Sequence, residues 1–346
     1  MINVGIAGIG FMGWIHYLAY QRVRGMKLAA VCSRNKNKLA GDWRGIKGNF
    51  GPEGTKVDLS GVSGYEDYEQ MLADPTIDLV DLCLPPDLHA DAAVKAFKAG
   101  KHVFVEKPMA LTTAECRRMV QAAEKADRQL MVGHVLPFSP EYVHARKLID
   151  SGSYGRPIGG TFKRVISDPL WLKDFYDPQR VGGPLVDLHV HDAHFIRMVF
   201  GMPMSVSSVG RMRGNVVEYC SSTFGFADPS LVVSAVSGVI NQQGRPLTHG
   251  YEIHLERATL QFEFAAFADV AELMPLKVLT DQGRVLRPKF KGGDEIAGFV
   301  EEIKEVAKAI RTGQPSTILS GELARDAVVL CHKQTDSVRR GRPVTL

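Results

Sequence analysis

Cysteine is scarce in this chain and shows no pattern. The five, Cys32, Cys83, Cys116, Cys220 and Cys331, are odd in number and widely scattered, with no C-x-x-C pair and no histidine at zinc-finger spacing. That excludes a disulfide framework and a thiolate zinc module; the cysteines read as small buried apolar side chains in a reducing compartment. An excess of one charge is also missing. With 42 Lys+Arg against 38 Asp+Glu, the net +4 is spread over interspersed acids and bases, so neither nucleic acid nor a membrane surface is an expected partner. No apolar run reaches the roughly 18 residues of a membrane span, and the N-terminus opens on an apolar strand without a charged leader or cleavage site. The expectation is a cytoplasmic protein. Internal repeats and low-complexity tracts are absent as well.

What the chain does have is length. Its 346 residues exceed the usual size of one hydrophobic core, which implies two domains. Over residues 1–132, strands alternate with helices. Ile2 to Ala7 is an apolar strand, Phe11 to Arg24 carries helical periodicity, and Lys27 to Cys32 is a strand apolar on both faces. The segment Gly41 to Gly64 holds seven glycines and reads as a long surface loop around at most a short helix. Ile77 to Cys83 is a further strand, ended by Pro85-Pro86, and His89 to Ala99 is helical. Val103 to Val105, the helix Thr113 to Asp127 and Leu130 to Val132 follow. This alternation predicts an α/β fold, a doubly wound parallel Rossmann sheet.

Residues 133–346 change character. Six β-branched stretches between Ile158 and Phe264 predict an α+β domain with one open, mostly antiparallel sheet. Helices at Pro140 to Asp150 and His191 to Phe200 are placed on one face. The other face is left for self-association as a homodimer or homotetramer. Two closing helices, Ile296 to Arg311 and Gly321 to Val338, complete the chain.

Gly8-Ile9-Gly10-Phe11-Met12-Gly13 fits the G-x-G-x-x-G pattern between a strand and a helix. The first glycine permits the turn, the second lets the backbone approach a pyrophosphate, and the third allows close packing. The anion would rest on the free N–H groups of the helix start. Roughly twenty residues on, where NAD-binding sheets of this kind place an acid on the ribose, stand Ser33 and Arg34. A carboxylate there would repel a 2′-phosphate, whereas Ser33 can hydrogen-bond it and Arg34 can pair with it, with Lys36 and Lys38 nearby. The pattern favours NADP over NAD.

Gly182-Gly183-Pro184-Leu185-Val186-Asp187-Leu188-His189-Val190-His191-Asp192 gathers a carboxylate and two imidazoles within five residues, Asp187 to His191, behind a glycine pair. His191 suits a general acid/base because imidazole titrates near neutral pH. Asp187, four residues earlier, meets the same face if both lie on the first helical turn, and either orients that imidazole or holds a substrate hydroxyl. Between Asp168 and Arg180, Trp171, Phe175 and Tyr176 lie in a proline-flanked loop. They offer either faces for a sugar, with Lys173 or Arg180 holding an acidic group, or anchors that pin the loop to the core.

With these residues in view, the chain resembles the glucose-fructose oxidoreductase / inositol dehydrogenase (Gfo/Idh/MocA) family over nearly its whole length. The resemblance is carried by Gly8-x-Gly10-x-x-Gly13 with His16, Leu84-Pro85-Pro86-Asp87-Leu88-His89, Ala99-Gly100-Lys101-His102-Val103-Phe104-Val105-Glu106-Lys107-Pro108, Val132-Gly133-His134, and Gly182-Gly183 with Asp187-x-x-x-His191-Asp192. It implies a substrate held between the open sheet and the nicotinamide, and reversible oxidation of a secondary alcohol on a sugar-like ring. Gly8, Gly10, Phe11, Met12, Gly13, Ser33, Arg34, Leu84, Pro85, His89, Glu106 and Lys107 are then expected at the cofactor. Lys107, His134, Trp171, Arg180, Asp187 and His191 are expected at the substrate, with Lys107, Asp187 and His191 catalytic and no metal. Lys107 would hydrogen-bond the reacting oxygen, often ahead of a cis bond to Pro108.

Some positions depart from the family pattern. His189 stands where relatives commonly carry glycine, Pro137 where many have a base, and the Gly41 to Gly64 segment is long. His189, His191 and His194 with Asp187 and Asp192 also fit a metal-dependent hydrolase, a reading that would leave the dinucleotide signature without purpose. The family resemblance further admits glycosidases that use NAD transiently, and cofactor-binding sensors without catalysis.

Overall fold

The computed structural model describes residues 1–290 and 293–346. Two compact units are formed, Met1–Phe138 with Gly292–Arg325, and Ser139–Lys291 with Asp326–Leu346.

In the first unit, β1 (Ile2–Ala7) leads through the glycine cluster into α1 (Phe11–Tyr20). Then come β2 (Met26–Cys32), α2 (Lys36–Leu39), β3 (Ser63–Tyr65), α3 (Tyr68–Ala73), β4 (Leu79–Leu82), α4 (Pro86–Lys98), β5 (His102–Glu106), α5 (Thr113–Ala126) and β6 (Leu130–Gly133). The strands lie in the order β3-β2-β1-β4-β5-β6, and every pairing is parallel. This is the doubly wound Rossmann order, whose direction reverses between β1 and β4; ligands bind outside the carboxyl ends of the strands at such a reversal. Local chemistry sets the helix ends. Thr112 and Glu115 form a reciprocal capping box at the start of α5. Pro86 occupies the first turn of α4, where its missing N–H costs nothing, so the proline pair ends one element and begins the next. Helix α1 stops at Tyr20, earlier than the expected Arg24, because the N–H groups of Gln21 and Arg22 turn back onto the carbonyls of Tyr17 and Ala19.

The expected surface loop at residues 41–64 is corrected in kind. It holds no helix; an antiparallel bridge joins Asp42 to Lys56, and β3 starts within its end. Trp43, Ile46 and Val57 are buried. Trp43 meets Trp14 and Tyr17 of α1 edge-on and donates its indole N–H to the Lys38 carbonyl at 2.7 Å. The loop is an aromatic clasp on α1.

The second unit contains α6 (Pro140–Asp150), β7 (Pro157–Ser167), α7 (Val190–Phe200), β8 (Ser205–Arg213), β9 (Val216–Gly225), β10 (Val232–Ile240), β11 (Leu247–Leu255), β12 (Ala258–Ala266), β13 (Ala271–Thr280) and β14 (Val285–Leu286). Helix α8 (Ala297–Thr312) belongs to the first unit. Helix α9 (Gly321–Arg340) begins there and continues in the second, which closes with β15 (Val344–Thr345). The nine-stranded sheet runs β14-β13-β12-β11-β7-β10-β9-β8-β15. Among the described residues of this sheet, β7 and β10 alone pair in parallel and the other pairings are antiparallel. One face is apolar and covered: Tyr142 of α6 meets Tyr251 and Phe262 edge-on, and Phe195 of α7 does the same to Phe162.

Candidate active site

The glycine loop is built by close backbone approach. A Cβ on Gly8, whose φ is +97°, would lie 2.4 Å from the Cys83 carbonyl oxygen, and one on Gly13 would lie 2.2 Å from that of Gly8. Gly10 differs, since a Cβ there would meet nothing within 4 Å. The space over Gly10 is therefore open, and it faces the start of a helix with no side-chain cap and no acid in its first turn. Unspent N–H groups beside open space fit a dinucleotide pyrophosphate.

The neighbouring strand ends add side chains. Ser33 and Arg34 follow β2; Ser33 Oγ accepts the Asn35 N–H at 3.2 Å, and Arg34 is exposed. Asn35 caps α2, and the Lys38 ammonium reaches back to the Ile9 carbonyl within the glycine loop, a contact that sequence spacing gave no means of finding. After β4 come Leu84 and Pro85. His89 is fully buried, with Nε2 2.8 Å from the Leu84 carbonyl and Nδ1 2.9 Å from that of Pro108, so it braces two loops against each other. At the end of β5, Glu106 is nearly buried and accepts the Lys107 N–H at 3.1 Å. The Lys107–Pro108 bond is cis. Lys107 is partly exposed, and His134, just after β6, is buried.

Behind this edge lies a cluster that the sequence reading passed over. His16 Nδ1 is 2.8 Å from Asp81 Oδ2, which also accepts the Tyr20 hydroxyl at 3.0 Å. His16 Nε2 is 3.0 Å from Glu106 Oε1, an ion-pair contact off the line of a hydrogen bond. Burial opposes a charge on His16, but Asp81 beside it overcomes that penalty and holds the imidazole pKa well above 6.5. Glu302 of α8 is also fully buried, and burial together with nearby Glu106 raises its carboxyl well above the usual range. An acid in a central parallel strand, Asp81 in β4, was the available signal.

In the second unit, Gly183 has φ +79°, and a Cβ there would press to 2.6 Å from Val216. The chain then enters a π turn, Leu185–His189, that runs directly into α7. The expected first turn of an α-helix is thus replaced by a wider one, a geometry frequent at functional sites. Asp187 on the π turn and His191 on α7 are partly exposed, whereas His189, Asp192 and His194 are buried. Asp192 takes two bonds from the Arg164 guanidinium, at 2.6 and 3.1 Å. The Nε2 of His189 lies 3.1 Å from the Gln334 amide nitrogen, and burial lowers its pKa to about 4. Of the three histidines of the hydrolase reading, His189 and His194 are buried and His191 is partly exposed. Among the described residues the metal-sized cluster is instead His16, Asp81 and Cys83.

The aromatic loop takes up one of its two expected uses, that of an anchor, at two positions. Phe175 is buried, and Tyr176 donates to Asp168 at 2.9 Å beneath the Arg213 guanidinium, 4.0 Å from its ring centre. These two pin the loop. Trp171 is 72% exposed, and Arg180 lies exposed with Asp174 3.9 Å away.

Residues 2–134 match the oxidoreductase family with an NAD-binding Rossmann fold, GFO_IDH_MocA, and residues 142–261 match the GFO/IDH/MocA C-terminal domain. The chain is 26% identical over 354 residues to the myo-inositol 2-dehydrogenase of Thermotoga maritima, spanning 100% of this chain and 98% of that one. It is also 26% identical over 356 residues to the scyllo-inositol 2-dehydrogenase (NAD(+)) of Bacillus subtilis, covering 100% and 96%. In fold it is similar to the aldose-aldose oxidoreductase of Caulobacter crescentus, solved with glycerol, at TM-score 0.81 and 21% identity over 100% and 99% of the two chains. The chain belongs to the Gfo/Idh/MocA family of oxidoreductases, and it is a dehydrogenase acting on CH–OH groups.

Proposed function

We propose that the enzyme transfers a hydride between a nicotinamide cofactor and a secondary alcohol or ketone of a sugar, cyclitol or sugar derivative. The observation that carries this reading is the open space over Gly10 at an uncapped helix start, on the edge of a parallel sheet that also presents Lys107. Inositol dehydrogenases as full-length relatives support the substrate class. When bound, the nicotinamide supplies a hydride acceptor. Lys107, as an ammonium at the carbinol oxygen, favours alkoxide character. His191 takes the hydroxyl proton. Asp187, on the turn before it, orients that imidazole or holds an adjacent hydroxyl. His134 and Arg180 are assigned polar contacts with the substrate, and Trp171 an aromatic face for its C–H surface.

We favour NADP over NAD because the end of β2 carries Ser33 and exposed Arg34 in place of an acid. The NAD(+) in the name of the Bacillus subtilis relative is the point against it. The thiols, unpaired among the described residues, suit a reducing cytoplasm. The open sheet face of the second unit is assigned to a homodimer or homotetramer.

The test is turnover of myo-inositol, scyllo-inositol and a panel of aldoses with NADP and NAD. His191→Ala is expected to lower kcat by about 10²-fold or more with little change in cofactor affinity. Unchanged turnover would remove His191 from the mechanism.

A further inference from the structure

We infer that His16 is a positively charged positioning residue that ties Asp81 to Glu106 and thereby fixes the root of Lys107. The inference rests on reading Lys107 as the residue that meets the reacting oxygen. The geometry comes from four elements. Asp81 of β4 lies 2.8 Å from Nδ1, Glu106 of β5 lies 3.0 Å from Nε2, and Phe104 stacks on the ring at 5.2 Å and 15°. Tyr20 of α1 donates to Asp81, and Cys83, just after β4, lies 3.4 Å from Nδ1 with a thiol kept protonated by burial. Glu302 of α8 completes the surround. A neutral imidazole carries one N–H, so one of its two nitrogens would turn a lone pair toward a carboxylate; the imidazolium has none to turn and carries a charge that attracts both, through a hydrogen bond at Asp81 and the off-line ion-pair contact at Glu106.

The consequence runs to the strand end. Glu106 is buried, a place a carboxylate takes at least cost beside a cation, and its Oε2 accepts the N–H of Lys107, the next residue along. Glu302, held neutral by its burial, adds no third negative charge to compete for the imidazolium. The same residues do not have the spacing of a metal centre. Two ligands at zinc bond lengths of about 2.0–2.1 Å sit about 3.3 Å apart in a tetrahedral site, whereas Nδ1 and Oδ2 are 2.8 Å apart, a hydrogen-bond distance.

The primary experiment is nitrogen-15 NMR of histidine-labelled protein, with the His16 signals assigned by their loss in His16→Gln. Both ring nitrogens are expected to stay protonated through about pH 5.5 to 7.5, where an ordinary imidazole titrates. A neutral tautomer, titration near the ordinary value, or stoichiometric zinc by elemental analysis would overturn the inference. This readout needs neither substrate nor Lys107, so a failure of the catalytic reading, seen as full turnover by Lys107→Ala, is separate from it. The second arm is kinetic. His16→Gln is expected to lower kcat by about 10- to 10²-fold while leaving the NADPH and NADH dissociation constants within about threefold. Combined with Glu106→Gln it should add little to either single change, because both act at one point. Additive losses would overturn the positioning role.

Discussion

Two histidines of the second unit, His189 and His249, act on stability by remaining neutral. Burial lowers His249 to about 3, with Arg164 adding to the effect, and lowers His189 to about 4. In an unfolded chain both titrate near 6.5, so the stability they allow is present above that pH and is lost as pH falls toward about 4 and 3. Each such proton steepens the loss by up to about 1.4 kcal/mol per pH unit. The double variant His189→Gln/His249→Gln should therefore show a flatter unfolding free energy than the parent between about pH 6.5 and 4, read by urea titration at each pH. Parallel curves would contradict the assignment. The tight turn was legible in the glycine motif at Gly8, whose φ is +97° and whose approach to the Cys83 carbonyl leaves no room for a Cβ. The partnerships His16–Asp81 and Arg164–Asp192 were not, because their members are 65 and 28 positions apart and only the fold brings them together.

At the scale of elements, the strands of the first unit were readable because β1, β2, β4 and β5 are apolar on both faces, as parallel covered strands must be. The aromatic clasp over residues 41–62 escaped notice. Its anchors, Trp43, Ile46, Phe50 and Val57, follow neither a helical nor a strand period, and the many glycines masked them. Two of those glycines exist for contact, since a Cβ on Gly48 would overlap the Phe11 ring and one on Gly54 would reach the Trp43 carbonyl. Phe50 stacks on Phe299 of α8 at 5.6 Å and meets Phe11 edge-on at 4.8 Å, so the segment ties the glycine loop to a late helix. Strand β13 went unseen for a different reason: its sequence, AELMPLKVLT, has a proline and is exposed at half of its positions, which leaves little alternation to read. The π turn could not be inferred from the glycine pair alone, although the glycines did mark the place.

At the scale of the molecule, the open face of the nine-stranded sheet is mixed in character. Val209, Val232 and Leu279 are exposed on it among Thr161, Ser207, Ser221, Thr223 and the Lys163–Glu263 pair. The sheet face left for self-association is thus mixed rather than apolar. If copies of the chain meet there, Val209→Glu with Val232→Glu should halve the mass measured by light scattering and leave the fold intact by circular dichroism. An unchanged oligomer would place the interface elsewhere. No described helix is long and apolar enough to cross a membrane.

The central claim is that the glycine loop and the end of β2 hold a nicotinamide dinucleotide with a 2′-phosphate. Its most direct test is a fluorescence titration of the purified protein with NADPH and with NADH, repeated on Arg34→Asp. Tighter binding of NADPH to the parent protein and a shift toward NADH in the variant are expected. Equal or reversed preference in the parent would contradict the role of Ser33 and Arg34, and binding of neither would contradict the site itself.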